Sequence, residues 1–295
     1  MTKIAFIGFG EAAQSMAKDL AKQSQIEEIV VYDVRFSDKQ ASADLLAKAE
    51  SMNVVPIMDL SALSDVDFVL SLVVGSATQA VAKSVSAYLS DTAIFIDLNS
   101  VGPATKTLAA VEIRKGKGTF VEGAVMARVP PYGAKVPIFV AGSAAEETAE
   151  KLNALGMNLE AVGTEPGQAS ALKMIRSVMV KGVEALLIEA LSAAEKAGVT
   201  EKILDSVGET FPGVNWRETS DYYLSRTFEH GARRVTEMNE AANTIEELGF
   251  SPHMSRAACK VIGKAHEELK KENLSSNDGY KKFVPSLSRL LVKGG

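Results

Sequence analysis

At 295 residues, 46% of them apolar and 23% charged, the chain is long enough for two domains with their own cores and too apolar to be disordered. A net charge of −5, with Lys and Arg spread along the sequence, gives no field for attracting nucleic acid or an anionic membrane. The single cysteine, Cys259, and three scattered histidines, His230, His253 and His266, leave no disulfide framework and no metal-ligand spacing.

The chain goes straight into an apolar strand at residues 3–7, with no basic segment or hydrophobic core of a signal peptide before it, so a cytoplasmic protein is expected. That strand runs into Gly8-Phe9-Gly10-Glu11-Ala12-Ala13, the G-x-G-x-x-A pattern of a dinucleotide site. Gly8 permits the tight turn, Gly10 lets the backbone approach a pyrophosphate, and Ala13 keeps helix and strand close. The backbone of Phe9, Glu11 and Ala12 then supplies N–H groups at the positive end of the helix. A second strand, residues 28–33, ends at Asp33, twenty residues after Ala13 and where an acid accepts from the adenosine ribose. The alternative for Asp33 is a strand-end turn residue. An acid there repels a 2′-phosphate, which favours NAD; Arg35, two residues on, keeps NADP open.

Further strands are expected at residues 54–57, 67–74, 93–97, 119–125, 136–141 and 159–162, alternating with helical segments. That alternation predicts an α/β Rossmann domain, a doubly wound parallel sheet with helices on both faces. Ligands in such sheets lie outside the carboxyl ends of the strands, so Val73, Val74 and the loop from Asp97 to Gly102 become pocket candidates. After Gly163 the strands stop and helices take over, predicting a cofactor domain at 1–163 and an all-helical domain at 164–295. The segment 167–197 is apolar on almost every side and reads as a helix buried between domains or subunits. Glu184 and Glu189 interrupt it, so no membrane span is expected. Four or five more helices follow, with breaks at Gly198, Pro212-Gly213, Gly231, residues 249–252 and residues 272–279. Trp216, Tyr222, Tyr223 and Phe228 either line a pocket or, as such clusters more often do, form core. The terminal Lys293-Gly294-Gly295 reads as loose.

Within the long helix Lys173 stands out, with Ser177 one turn on. A buried lysine can have its pKa lowered toward the range useful for proton transfer, whereas one in the first turns can also snorkel to water. Both readings stand on the residues alone.

The Gly8–Ala13 motif, the Asp97-Leu98-Asn99-Ser100-Val101-Gly102-Pro103 loop and Gly167-Gln168-Ala169-Ser170-Ala171-Leu172-Lys173 together resemble the β-hydroxyacid dehydrogenase family. That family includes 3-hydroxyisobutyrate dehydrogenases and 6-phosphogluconate dehydrogenase. The resemblance implies that Asn99, Ser100 and Val101 fall in the family's D-x-S-T-x-x-P loop, touching nicotinamide and substrate. It implies that Lys173 is the lysine exchanging a proton with the substrate hydroxyl as hydride moves to or from the nicotinamide. Ala169 replaces the second glycine of that motif and Ser177 its asparagine.

The family's D-A-P-V-S-G-G substrate segment reads here Glu122-Gly123-Ala124-Val125-Met126-Ala127-Arg128. Met126 and Arg128 thus reshape the pocket, with Arg128 either an anion clamp or a surface arginine. The family's K-D-L lysine is absent, Thr236-Glu237-Met238 standing there. Upstream, His230-Gly231-Ala232-Arg233-Arg234 resembles the distinct C-terminal domain of unknown function of some members. Arg233 or Arg234 can reach an anionic substrate, but not both, since successive helix positions point about 100° apart. The other is expected to pair with Glu237 or an equivalent acid, and His230 is a substrate-side candidate only.

The expectation is an NAD(P)-dependent oxidoreductase acting on a small anionic hydroxy or carbonyl acid, homodimeric or larger, with no metal. An imine reductase and a non-catalytic cofactor-binding sensor or scaffold are the alternatives.

Overall fold

The computed structural model describes residues 1–37 and 42–291, and its chain forms two compact units, Met1–Lys173 and Met174–Gly295. Among the described residues the first unit holds eight strands: β1 (Thr2–Ile7), β2 (Ile26–Tyr32), β3 (Val55–Pro56), β4 (Phe68–Ser71), β5 (Ile94–Asp97), β6 (Thr119–Val125), β7 (Ile138–Ala141) and β8 (Leu159–Gly163). They form one sheet in the order β3-β2-β1-β4-β5-β6-β7-β8. Between them run α1 (Glu11–Leu20), α2 (Ser42–Ser51), α3 (Thr78–Ser86), α4 (Pro103–Arg114), the short α5 (Val129–Tyr132) and α6 (Ala145–Ala154).

Every strand expected from the sequence is present, and the sheet is doubly wound. Ile4 and Phe6 of β1 point to one face, where they meet Met16 and Leu20 of α1. Ala5 and Ile7 point to the other face, toward Ala82 and Val85 of α3 and Ala109 and Ile113 of α4. Burial on both faces is why β4 and β5 are continuous apolar runs rather than alternating ones. The strand order reverses at β1, leaving a crevice outside the carboxyl ends of β1 and β4.

One expectation is corrected. The sheet is not wholly parallel, because β7 pairs antiparallel with β6, Glu122 opposite Ala141 and Val125 opposite Ile138. A parallel return needs a full crossover, usually a helix, across the sheet face. Residues 126–137 supply only the one-turn α5 around Pro130-Pro131, so the chain turns back beside the strand it left.

Helix α7 (Gln168–Ala197) begins in the first unit and continues into the second, which adds α8 (Thr200–Thr210), α9 (Trp216–Glu247), α10 (His253–Leu269) and α11 (Tyr280–Leu290). The core of the second unit gathers Ile188, Leu191, Leu224, Met238, Ile262, Leu269, Phe283 and Leu287. The break expected at Gly231 is a kink inside α9: two helical runs meet at His230, which departs from helical geometry at φ −128° and ψ 15°. Gly231 is needed because a Cβ there would strike the His266 ring. Trp216, Tyr223 and Phe228 pack against the core while Tyr222 is exposed, so the aromatic residues are mostly structural. On the single chain Ile175, Met179 and Leu186 of α7 stand exposed, Met179 by 70%. Lys293-Gly294-Gly295 lies outside the described residues.

Candidate functional site

The nucleotide half of the site is built by the β1–α1 turn. Gly8 has φ +91°, and a Cβ there would run into the Leu72 carbonyl, so only glycine fits. Gly10, by contrast, faces open space and caps α1 without a side chain. The first intrahelical bond is Gln14 N–H to Gly10 carbonyl at 3.0 Å, which leaves the amides of Glu11, Ala12 and Ala13 without carbonyl partners inside the helix. Orphan amides, a helix dipole and an open glycine together fit a dinucleotide pyrophosphate. Phe9 plays a supporting part, its ring wholly buried in the core and its N–H donated to Asp33 Oδ2 at 2.7 Å.

Asp33 does not wait open for a ribose. Its Oδ1 accepts from the Arg35 amide at 2.9 Å and Arg35 Nε at 2.8 Å, and its Oδ2 from Phe9 N–H and Arg35 Nη2, both at 2.7 Å. These four bonds use the carboxylate's roughly four acceptor positions. Burial works to raise the Asp33 pKa, but the Arg35 guanidinium and the two amides outweigh it and hold the carboxyl below its ordinary value. Arg35 itself is half exposed.

At the carboxyl ends of β4 and β5 a second group of residues is tied together. Asn99 is buried; its Oδ1 accepts from Val73 N–H at 2.6 Å, its Nδ2 donates to Ser71 Oγ at 3.1 Å, and its N–H reaches Asp97 Oδ1 at 2.9 Å. Its side chain therefore latches two loops together. Val101 packs beside Gly75, while Val74 and Ser100 face outward. Lys173, in the second turn of α7, donates from Nζ to Ser100 Oγ at 3.4 Å. The two residues assigned to substrate are thus neighbours in space, although they are 73 positions apart.

Sequence reasoning missed what lies beneath. Lys106 is 1% exposed, and its ammonium finds an acceptor for each of its three protons: the Asp97 carbonyl at 2.6 Å, Asp97 Oδ1 at 3.1 Å and the Gly123 carbonyl at 3.2 Å. Glu122, wholly buried, accepts from Ala169 N–H at 2.5 Å and from Ser170 N–H at 3.2 Å and Oγ at 3.1 Å. A signal for Lys106 existed: it precedes Ala109, Ala110 and Ile113 at helical spacing, on the buried face of α4.

The remaining candidates separate. Met126 packs beside Ala124 and Ala169, whereas Arg128 is exposed at the start of α5. In the second unit Ser177 accepts from Lys181 Nζ at 3.3 Å, and Lys181 pairs with Glu237 at 3.1 Å. Burial lowers the Lys181 pKa against the pull of Glu237. Arg234 is buried and grips Glu184 with two nitrogens, and Glu184 also accepts from Thr227 at 2.5 Å. Arg233 is exposed and lies 3.6 Å from Glu237. Both arginines are thus paired with acids. His230 Nε2 lies 3.3 Å from Glu229. Among the described residues no group of three His, Cys, Asp or Glu can hold a metal, and no helix is long and apolar enough to cross a membrane.

Residues 3–100 match the family of coenzyme F420-dependent NADP oxidoreductases, and residues 194–264 match a domain of unknown function, DUF1932. A conserved hypothetical protein from Sinorhizobium meliloti 1021 is 66% identical, with a TM-score of 0.94 over 98% of this chain and 96% of its own. The conserved protein MTH1747, of unknown function and structurally similar to 3-hydroxyacid dehydrogenases, is 31% identical, with a TM-score of 0.80 over 92% of this chain and 100% of its own. The 3-hydroxyisobutyrate dehydrogenase of Mycobacterium tuberculosis shares the fold at 16% identity, with a TM-score of 0.74 over 99% of this chain and 100% of its own.

Proposed function

The chain belongs to the 3-hydroxyacid dehydrogenase fold family, in the branch that joins an NADP-oxidoreductase domain to a DUF1932 domain, and from that premise we propose a specific activity. It is a nicotinamide-dependent oxidoreductase interconverting a small anionic hydroxy acid and its carbonyl acid. The observation that carries this reading is the approach of Lys173 Nζ to Ser100 Oγ, beside the carboxyl ends of the strands that frame the glycine turn. A bound nicotinamide supplies a hydride donor or acceptor; the protein must supply everything else.

The amides of Glu11, Ala12 and Ala13 hold the pyrophosphate, and the open face of Gly10 lets it approach. Asp33 is saturated by Arg35, so the pair presents a guanidinium rather than a carboxylate to the adenosine ribose. That supports NADP over the NAD favoured by the sequence. Lys173 gives a proton to the carbonyl oxygen in reduction and takes it back in oxidation, and its charge stabilises the alkoxide between. Ser100 orients the same oxygen. Arg128, exposed beside the Met126 segment, is the better carboxylate anchor, because Arg233 is already engaged with Glu237. The exposed Ile175, Met179 and Leu186 support packing of α7 against a second copy in a cytoplasmic homodimer.

NADPH fluorescence followed against a panel of carbonyl acids, with and without primary amines, tests the reading. Lys173→Ala is expected to lower kcat by roughly 10² to 10⁴ while cofactor affinity holds. Unchanged turnover removes Lys173 from the chemistry, and binding without turnover across the whole panel favours a non-catalytic sensor. Turnover confined to the amine-containing mixtures points to imine reduction.

A further inference from the structure

We propose that Glu122 is a positioning residue for the reaction: its buried carboxylate clamps the first turn of α7 to the middle of β6 and so sets Lys173 at Ser100. The inference rests on the oxidoreductase reading above and concerns how its proton-transfer group is held. Three donors converge on Glu122, the amides of Ala169 and Ser170 and the Ser170 hydroxyl. Both amides belong to the N-terminal turn of α7, where N–H groups lack helical partners and the dipole favours a negative charge. Lys173 follows Ala169 by one turn of the same rigid helix, so a displacement of that turn carries the ammonium with it.

The other half of the contact hangs on the same buried group. Glu122 pairs in register with Asp97 across β5 and β6. Asp97 holds the amide of Asn99 and thereby the loop that bears Ser100. Lys106 sits between the two strands, bonded to Asp97 and to the carbonyl of Gly123, the residue after Glu122. A carboxylate at this depth is costly compared with an apolar side chain of the same size. What it gains is a fixed distance between two segments that must meet at the substrate.

The charged groups facing Glu122 are Lys106 from α4 and Asp97 from β5. Its partner in β7 is Ala141, and the first charge on α7 is Lys173 itself. Burial pushes the Glu122 carboxyl up, opposed by Lys106 and by the α7 amides. The clamp therefore loosens on the acid side, as Glu122 takes up a proton and accepts more weakly.

Glu122→Gln is the direct test. Expected are a fall in kcat of roughly tenfold to a hundredfold, the scale of a misplacement of about 1 Å, NADPH affinity within about twofold of the parent, and loss of the acid limb that Glu122 gives the pH profile. Amide hydrogen exchange reads the clamp without any substrate: protection at Ala169 and Ser170 falls in the variant, and falls in the parent protein on acidification. Should Glu122→Gln not fold, Ser170→Ala, with a smaller loss of kcat, and the parent's amide titration decide instead. Parental kcat and unchanged protection at Ala169 and Ser170 would overturn the proposal. A parent enzyme inactive on every substrate sinks the oxidoreductase reading alone, since the exchange data still report the clamp.

Discussion

Arg35→Ala separates the two cofactor readings. Of the five N–H groups of the guanidinium, Nε–H and one on Nη2 are spent on Asp33, leaving three to meet a 2′-phosphate. Two of these can serve one phosphate, each a charge-assisted bond. The Arg35 side chain is 48% exposed, so solvent competition discounts each bond to about half its full worth, about 1.5–3 kcal/mol for the two together. That corresponds to roughly a tenfold to 150-fold loss of NADPH affinity. The same change frees two acceptor positions on Asp33, one on each oxygen, while the backbone amides of Phe9 and Arg35 keep the carboxylate in place. NADH affinity should therefore hold or improve. Titration of both reduced cofactors by fluorescence, at one fixed ionic strength, measures the ratio. An unchanged NADPH-to-NADH ratio in Arg35→Ala would refute the argument, as would an equal loss for both cofactors.

Gly8→Ala places a Cβ against the Leu72 carbonyl at positive φ; strain and overpacking together should cost about 2–5 kcal/mol and abolish cofactor binding. A variant that melts like the parent in urea and still binds NADPH contradicts this. In the second unit, Arg234→Met leaves Glu184 buried with only Thr227 on it, and should cost about 3–5 kcal/mol, whereas the double change with Glu184→Met should recover most of the loss. Chemical denaturation of the four-member mutant cycle checks it, and a single-variant loss below about 1 kcal/mol disproves it. Met179→Glu puts a charge in the exposed stripe of α7 and should shift a dimer to monomer by light scattering; a parent protein already monomeric at micromolar concentration removes the homodimer instead.

Much of the molecule is written in local pattern. The apolar runs at residues 3–7 and 93–97, the glycines at 8 and 10, and the 30-residue α7 are recognisable because period, turn chemistry and length each act over a few neighbouring residues. The same holds for Lys173, conspicuous as a cation in an apolar helix. What depended on distant segments was not legible. Arg233 and Arg234 both stood as candidates for an anionic substrate, and only the fold showed Glu184, 50 positions away, beneath Arg234; the Phe9 amide that Asp33 accepts likewise comes from 24 positions back. β7 was recognisable as a strand, yet its antiparallel direction follows from the lack of a crossover helix in residues 126–137.

The sequence by itself determined where strands, helices and the phosphate turn lie, because those choices rest on backbone geometry and on periodicity along the chain. Only the tertiary structure decided which charges answer which. Lys106, Asp97 and Glu122 come from three separate elements, and their meaning arises where burial strips them of water and leaves each dependent on the others. Opposite charges on separate elements, such as Asp97 and Lys106, carry no mark in sequence of whether they meet. Packing of the sheet brings them together, and with them the serine and lysine of the candidate site.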